Sequence, residues 1–440
     1  LDSGKLSLET SSGDKRVITM HKNFHIIATM NPPAGRFAQK RSRLTMQFRS
    51  RFRSINFLDI EKEELLEIAR GLAQNYQISD ISSMNKLVDF HFSWKEKESN
   101  QIHVFTIREI SGTIKLMKEG LSLYESILIQ YGSRYSEADL QKMKSELQLH
   151  GIDSLELGDR NLEFQENLFY RTNSIMRTIF NAIKLLNTNH SILITGPDGC
   201  GKTAAARWIS YIYHHSKEFT NFFICNPEIS VSDIIGRYMP IQMGLGEAPI
   251  VWIDGPLIQS VQNGHIFVMD QVNTAPTTIL ERMNPLFDNI GSQDFRFEVQ
   301  ENSETSSYTL NPKFRIIAVS NSQGLSDLSP ALLNRFAIVY LDEQHNEANF
   351  DMSSFIKYFL PENIVPKEQS FIIKQLKKFD PNSITTSRVA TILRGYLALR
   401  QTFTNLSLID AFSFATYATS GSIQTTAGLP DSFVNIILSA

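Results

Sequence analysis

The sequence predicts an α/β fold: a doubly wound parallel sheet with helices on both faces and smaller helical bundles attached. Three observations carry that prediction. Apolar runs at Ser191–Thr195, Phe222–Cys225, His265–Met269, Arg315–Ser320 and Ala337–Leu341 have the length and continuity of strands buried on both faces. Ahead of the first run, Leu168, Ile175, Ile179, Ile183 and Leu186 fall near helical spacing, so a helix leads into the sheet. The first run also passes straight into the glycine-rich turn Gly196-Pro197-Asp198-Gly199-Cys200-Gly201-Lys202-Thr203, which opens another helix.

That turn has the full pattern of a phosphate-binding loop in the strand–loop–helix setting it requires. Its glycines let backbone N–H groups point inward at a polyphosphate, and the helix beginning near Thr203 adds its positive end. Lys202 is placed to reach the β- and γ-phosphates, and the Thr203 hydroxyl to hold Mg²⁺. Residues Gly196 to Thr203 are therefore the expected site for ATP with Mg²⁺.

Composition narrows the class. The chain has 440 residues, 42% apolar and 20% charged, which is an ordinary globular composition for two to four domains. A net charge of −3 excludes a protein that coats nucleic acid through bulk charge, and no sequence-specific nucleic-acid binding is expected. No apolar run has the length of a membrane span. The two cysteines are Cys200 and Cys225; a disulfide at Cys200 would obstruct the loop, so both are expected as reduced thiols in an intracellular compartment. The chain opens on Leu1, and Leu1–Asp14 reads as neither a signal nor a transit peptide, so the sequence is expected to start inside a longer unit.

An internal repeat gives the organisation. Lys22–Pro32 reads as a buried strand ending in Asn31, followed by Phe48-Arg49-Ser50-Arg51-Phe52. The same phrase recurs as Pro312–Asn321, followed by Leu328–Phe336 with Arg335 before Phe336. A third echo pairs Phe105-Thr106-Ile107-Arg108 with Ile384–Arg388. The chain thus holds one and a half copies of a module. Residues 1–58 are read as the end of a first core, 59–135 as its helical lid and 136–166 as a charged connector that includes a helix start at Ser136. Residues 167–346 are read as a second core carrying the phosphate loop, and 347–440 as its lid.

Within the second core, Val268-Met269-Asp270-Gln271 closes a strand on an acidic residue, so Asp270 is placed to join Thr203 around Mg²⁺. The next position is where a glutamate would take the proton of the attacking water. Gln271 can orient water but cannot accept its proton, which lowers expected hydrolysis by ~100-fold or more. Glu281 is an alternative base, although its place on the following helix points it elsewhere. Asn321, echoed by Asn31, is positioned to hydrogen-bond the γ-phosphate or the water. Arg335 and Arg51, matched before Phe, read as arginines that reach a neighbouring module's phosphates; Arg108 and Arg388, opening lid helices, are weaker phosphate-sensing positions.

Taken together these residues resemble the AAA+ ATPases of the dynein-related branch. Further phrases carry the likeness: Trp252–Ile258 before the metal-binding strand, Gln271–Pro276 after it, Ile279–Asp288, Leu328–Phe336, and Ala28–Pro32 in the first copy. It covers most of residues 22–130 and 167–400. Within the branch the phrases are most similar to the midasin type of ring ATPase, which acts in large ribosomal subunit assembly, and dynein heavy chains share related phrases. The resemblance implies a P-loop AAA+ core with helical lids, modules side by side in a single-chain ring, and a nucleotide at each module boundary. Arg335 would then complete the first module's site, and the Lys202 site would take its arginine from a module beyond Ala440. Expected partners are the neighbouring modules and proteins of pre-ribosomal particles, in the nucleolus or nucleoplasm. The branch includes modules that hold nucleotide without hydrolysing it, which suits Gln271. A dynein-like motor or scaffold segment acting on the cytoskeleton or another complex is the alternative.

Overall fold

The computed structural model describes residues 5–9, 15–30, 44–56, 60–78, 80–98, 105–153, 172–214, 218–240, 250–302, 305, 307–321, 323–342, 352–360, 364, 366–376, 386–402 and 407–419. They fall into two compact units, Leu1–Glu61 and Lys62–Ala440.

The first unit holds an antiparallel hairpin of β1 (Lys5–Glu9) and β2 (Lys15–Thr19) and the short helix α1 (Met46–Arg49). Thr45 caps α1 by accepting from the Phe48 N–H, and the Phe48 and Phe52 rings meet at 5.3 Å. The described part of the buried strand expected over 22–32 is not formed: residues 22–30 are outside any strand, and Ile27 is 91% exposed. A parallel strand exists only through ladders to its neighbours. Among the described residues of this unit the only strands, β1 and β2, pair with each other. Asn31 lies outside the described residues.

The second unit begins with five helices: α2 (Lys62–Asn75), α3 (Ser83–Lys97), α4 (Ile107–Lys118), α5 (Leu123–Gln130) and α6 (Glu137–Leu149). Thr106 with Glu109 and Ser122 with Glu125 form capping boxes that start α4 and α5, satisfying backbone donors the helices would otherwise leave open. Phe90, Trp94, Ile110, Ile114 and Tyr131 fill their shared core. The α6 segment, expected as a solvated connector, buries Leu140, Met143 and Leu147 in that same core. Most of its charges occupy the outer face, while Glu146 is buried and paired with Lys97 and Ser93, so a count of charges hid an amphipathic helix.

Helix α7 (Asn173–Asn187) leads into the sheet. The five strands are β3 (Ser191–Thr195), β4 (Thr220–Ile224), β7 (Ile266–Asp270), β10 (Arg315–Val319) and β11 (Phe336–Tyr340); between them lie two antiparallel hairpins, β5 (Gly236–Pro240) with β6 (Ile250–Asp254) and β8 (Arg296–Glu298) with β9 (Ser307–Thr309). The sheet is parallel throughout, in the order β11-β3-β10-β7-β4. This is the predicted α/β class. Alternation along the strands divides the core in two: Leu193, Phe267, Met269, Ile316 and Ala318 pack on one face, and Ile192, Ile194, Val268, Ile317 and Val319 on the other. Each large side chain so buried contributes about 1.5–3 kcal/mol.

The second of these cores also takes Leu116, Leu121 and Ile129 from α4, α5 and the turn between them, against Ile175 and Ile179 of α7. Polar contacts reinforce the join: Arg177 on α7 pairs with Glu137 and, at 3.3 Å, with Asp342, whose carboxylate also accepts from the Glu137 N–H at 3.1 Å. Helices α4 and α5 share one core with α7 and the sheet. Past the sheet, helices Met352–Phe359, Pro366–Leu376, Thr386–Thr402 and Leu408–Thr419 form a separate small core around Ile392, Leu393 and Tyr396. Among the described residues, no helix is long and apolar enough to cross a membrane.

Two histidines, His91 buried and His190 half-buried, make stability depend on pH. His91, bonded to the Tyr131 hydroxyl at 2.8 Å, and His190, ahead of β3, both have pKa values depressed from 6.5 to about 4; burial is the main cause, with Lys95 and Lys115 adding repulsion. Unfolded, both rings take up a proton near pH 6.5, whereas folded they resist until about pH 4. In that window the unfolded chain binds more protons, so stability falls as pH falls. We expect a loss of up to about 3 kcal/mol per histidine, read as a falling urea midpoint between pH 6.5 and 4 that is flatter in His190→Gln. Asp342, whose pKa burial raises, acts oppositely, within the carboxylate range.

Candidate functional site

Three adjacent strands, β3, β10 and β7, deliver their carboxyl ends to one edge of the sheet, where parallel α/β sheets bind ligands. The cleft there measures about 320 Å³ and is lined by Asp198, Lys202 and Thr203 after β3, Asp270 to Thr274 after β7 excepting the buried Val272, and Val319 to Asn321 at β10.

The loop after β3 folds as its sequence dictates. Gly196 has φ 154°, and a Cβ there would lie 2.2 Å from the Leu341 carbonyl oxygen and 3.2 Å from the Cys200 sulfur. Only glycine fits that close approach. Gly201 has φ 97°, a second position where a side chain would strain the backbone. Helix α8 (Lys202–His214) starts directly from the loop. Lys202 Nζ donates to the carbonyls of Gly196 and Pro197 at 3.0 and 2.6 Å, with the Asp198 carboxylate at 3.8 Å. The ammonium is thus folded back over a backbone cradle, within reach of an anion entering the loop.

The Thr203 hydroxyl donates to Asp270 Oδ2 at 3.0 Å, and the Gln271 N–H donates to Oδ1 at the same distance. The hydroxyl and the carboxylate meet across the cleft, as a Mg²⁺ held mainly by phosphates and water would need. Among the described residues no cluster of three or more His, Cys, Asp or Glu side chains forms a self-sufficient metal cage. Thr203 and Asp270 therefore fit Mg²⁺ arriving with a nucleotide.

Gln271 is held with φ 56° and ψ 42°, a left-handed conformation unusual for a long side chain. It caps the one-turn helix Val272–Thr274 and lies exposed at the cleft. Strain of about 1–3 kcal/mol in such a conformation persists only where the surroundings enforce it. Glu281 does not line the cleft; the carboxylates that do are Asp198 and Asp270. Asn321 Oδ1 accepts from the Gly324 N–H at 2.7 Å, which turns its amide into position. Sequence reasoning gave no role to Asn273, whose Oδ1 accepts from the Ser320 hydroxyl at 3.1 Å and so ties the β7 turn to the end of β10. Its place two residues after Gln271 was the available signal.

The remaining expected residues lie elsewhere. Arg51, in the first unit, donates to the Gln47 carbonyl at 3.1 Å across its own turn. Arg388 sits half-buried on helix Thr386–Thr402 and is not part of the cleft lining. Arg335 is also outside that lining; it pairs with Asp288, as Arg108 does. Neither cysteine is in a disulfide, and burial with the nearby Asp270 carboxylate pushes the Cys225 thiol up to about 12, which makes it inert.

Residues 191–336, from the first residue of β3 to the first of β11, match the family model described as AAA domain (dynein-related subfamily). This segment is an AAA domain of the dynein-related subfamily. Uncharacterized proteins of Staphylococcus aureus strains USA300, COL and MRSA252 are similar to the chain, each 27% identical over 231 residues that span 51% of it and 80% of the relative. AAA domains bind nucleotide, and within the matched segment Lys202, Thr203, Asp270 and Asn321 line the cleft at the carboxyl edge of the sheet.

Proposed function

We propose that the AAA domain holds ATP with Mg²⁺ at the Lys202 cleft and hydrolyses it slowly, as one module of a larger ring ATPase in which turnover takes place elsewhere. The observation that carries this reading is Gln271: the residue in the cleft directly after Asp270 is an amide, and among the described residues no glutamate is part of the lining. The loop amides and Lys202 bind the phosphates, Asn321 and Gln271 orient a water, and the Gln271 amide cannot take its proton. Mg²⁺ held at Thr203 and Asp270 would neutralise phosphate charge.

The test is a single-turnover experiment with radiolabelled ATP at substoichiometric concentration. The expected result is intact ATP bound for minutes. Phosphate release at the ~1 s⁻¹ or faster usual for enzymes would overturn the reading.

For the parent protein we propose remodelling of pre-ribosomal particles of the large subunit, in the nucleus, with neighbouring modules and particle proteins as partners. The phrases Trp252–Ile258, Gln271–Pro276 and Leu328–Phe336 support it by resemblance. Co-sedimentation of the tagged parent with large-subunit precursors is expected, and sedimentation with microtubules instead would favour the dynein-like reading.

A further inference from the structure

Arg108 and Arg335 come from segments 227 positions apart in the chain (335 minus 108) and converge on one carboxylate. Arg335 donates to Asp288 Oδ2 through Nε at 3.1 Å and through Nη2 at 3.0 Å, while Arg108 donates to Oδ1 through Nη2 at 3.2 Å. Both guanidiniums are also braced by backbone: Arg335 Nη1 by the Ala331 carbonyl at 2.7 Å, and Arg108 Nη1 by that of Asn334 at 2.9 Å. The two forks are thereby aimed together by the fold and not by Asp288 alone. Asp288 belongs to the short helix Asn284–Asn289, and its side chain is 38% exposed, so an anion in solution can reach the cluster.

One carboxylate with a single negative charge thus faces two fixed positive charges. A terminal phosphate carries more charge and three oxygens, and matches paired guanidiniums better than a carboxylate does. We propose that Asp288 is a built-in competitor: it occupies Arg335 and Arg108 when no polyphosphate is present and yields both to the terminal phosphates of a nucleoside polyphosphate. The inference rests on the reading of these arginines as phosphate-sensing residues. Asp288 then sets a threshold. A ligand with too little charge to displace the carboxylate leaves the arginines paired, and one with a complete triphosphate takes them.

The consequence is opposite in sign to that of a structural ion pair. Removing the charge should strengthen anion binding, whereas loss of a merely structural contact would weaken or spare it. The test uses the whole chain carrying Lys202→Ala, which silences the loop site, with inorganic tripolyphosphate as the probe, titrated calorimetrically at low salt. Adding Asp288→Asn is expected to tighten binding by about tenfold, the combined effect of two exposed ion pairs. Adding Arg335→Ala or Arg108→Ala to that protein should abolish the gain. Asp288→Ser provides a second variant with the same expected direction. If the arginine variants weaken binding but both Asp288 variants leave it unchanged or weaker, the competitor role is overturned and the phosphate reading survives. If none of the arginine variants alters binding, the phosphate reading falls as well.

Discussion

Lys202→Ala is expected to lower ATP affinity by roughly 30- to 4,000-fold, the range that follows from removing one partner of a desolvated charge pair worth about 2–5 kcal/mol. The Lys202 side chain is 11% exposed and straps the loop by donating to two of its carbonyls. Alanine therefore removes both the positive charge that meets the phosphates and the strap that holds the empty loop. Competition against a fluorescent ATP analogue measures the loss, with far-UV circular dichroism to confirm that the sheet is intact. An affinity within threefold of the parent chain would mean that the nucleotide binds elsewhere.

Gln271→Glu acts on turnover and not on binding. The two side chains have the same length, and the left-handed backbone at this position is already enforced by the turn that follows β7. The change adds a proton acceptor at the end of the strand that carries Asp270. A positioned general base contributes about 10²–10⁴-fold, so single-turnover hydrolysis in the same chain should rise by at least ~100-fold with little change in ATP affinity. Equal rates for the two proteins would show that the missing base is not what limits the reaction, and the slow-site reading would lose its main support. A rise that Lys202→Ala then removes would place the restored activity in this cleft.

Most of the second module could be read from the chain before any coordinates. Its strands are continuous apolar runs because both faces are covered, and β3, β7 and β10 are buried at every position. The cleft residues were readable for a related reason: loop, Asp270 and Asn321 each directly follow such a run, and parallel strands deliver their ends to one edge. What could not be read depends on contacts between distant segments. Nothing local to Asp288 announces that it will receive Arg108 and Arg335. The stretch at 22–32 was apolar enough for a strand, but its described residues find no parallel neighbour among the described residues of their unit, and periodicity cannot supply one. The α6 segment failed in the other direction: its net polarity concealed Leu140, Met143 and Leu147 on a single face.

The sharing of one core by the first helical bundle and the second sheet bears on where this chain can be cut. The repeat in the sequence suggests a division just before α7, between one module and the next. A shortened protein starting there would leave Ile175 and Ile179 of α7 without Leu116, Leu121 and Ile129, an oily patch in search of a partner. The seam marked by the packing lies earlier, at Glu61–Lys62. The unit of inheritance and the unit of solubility are offset along this chain by a whole helical bundle.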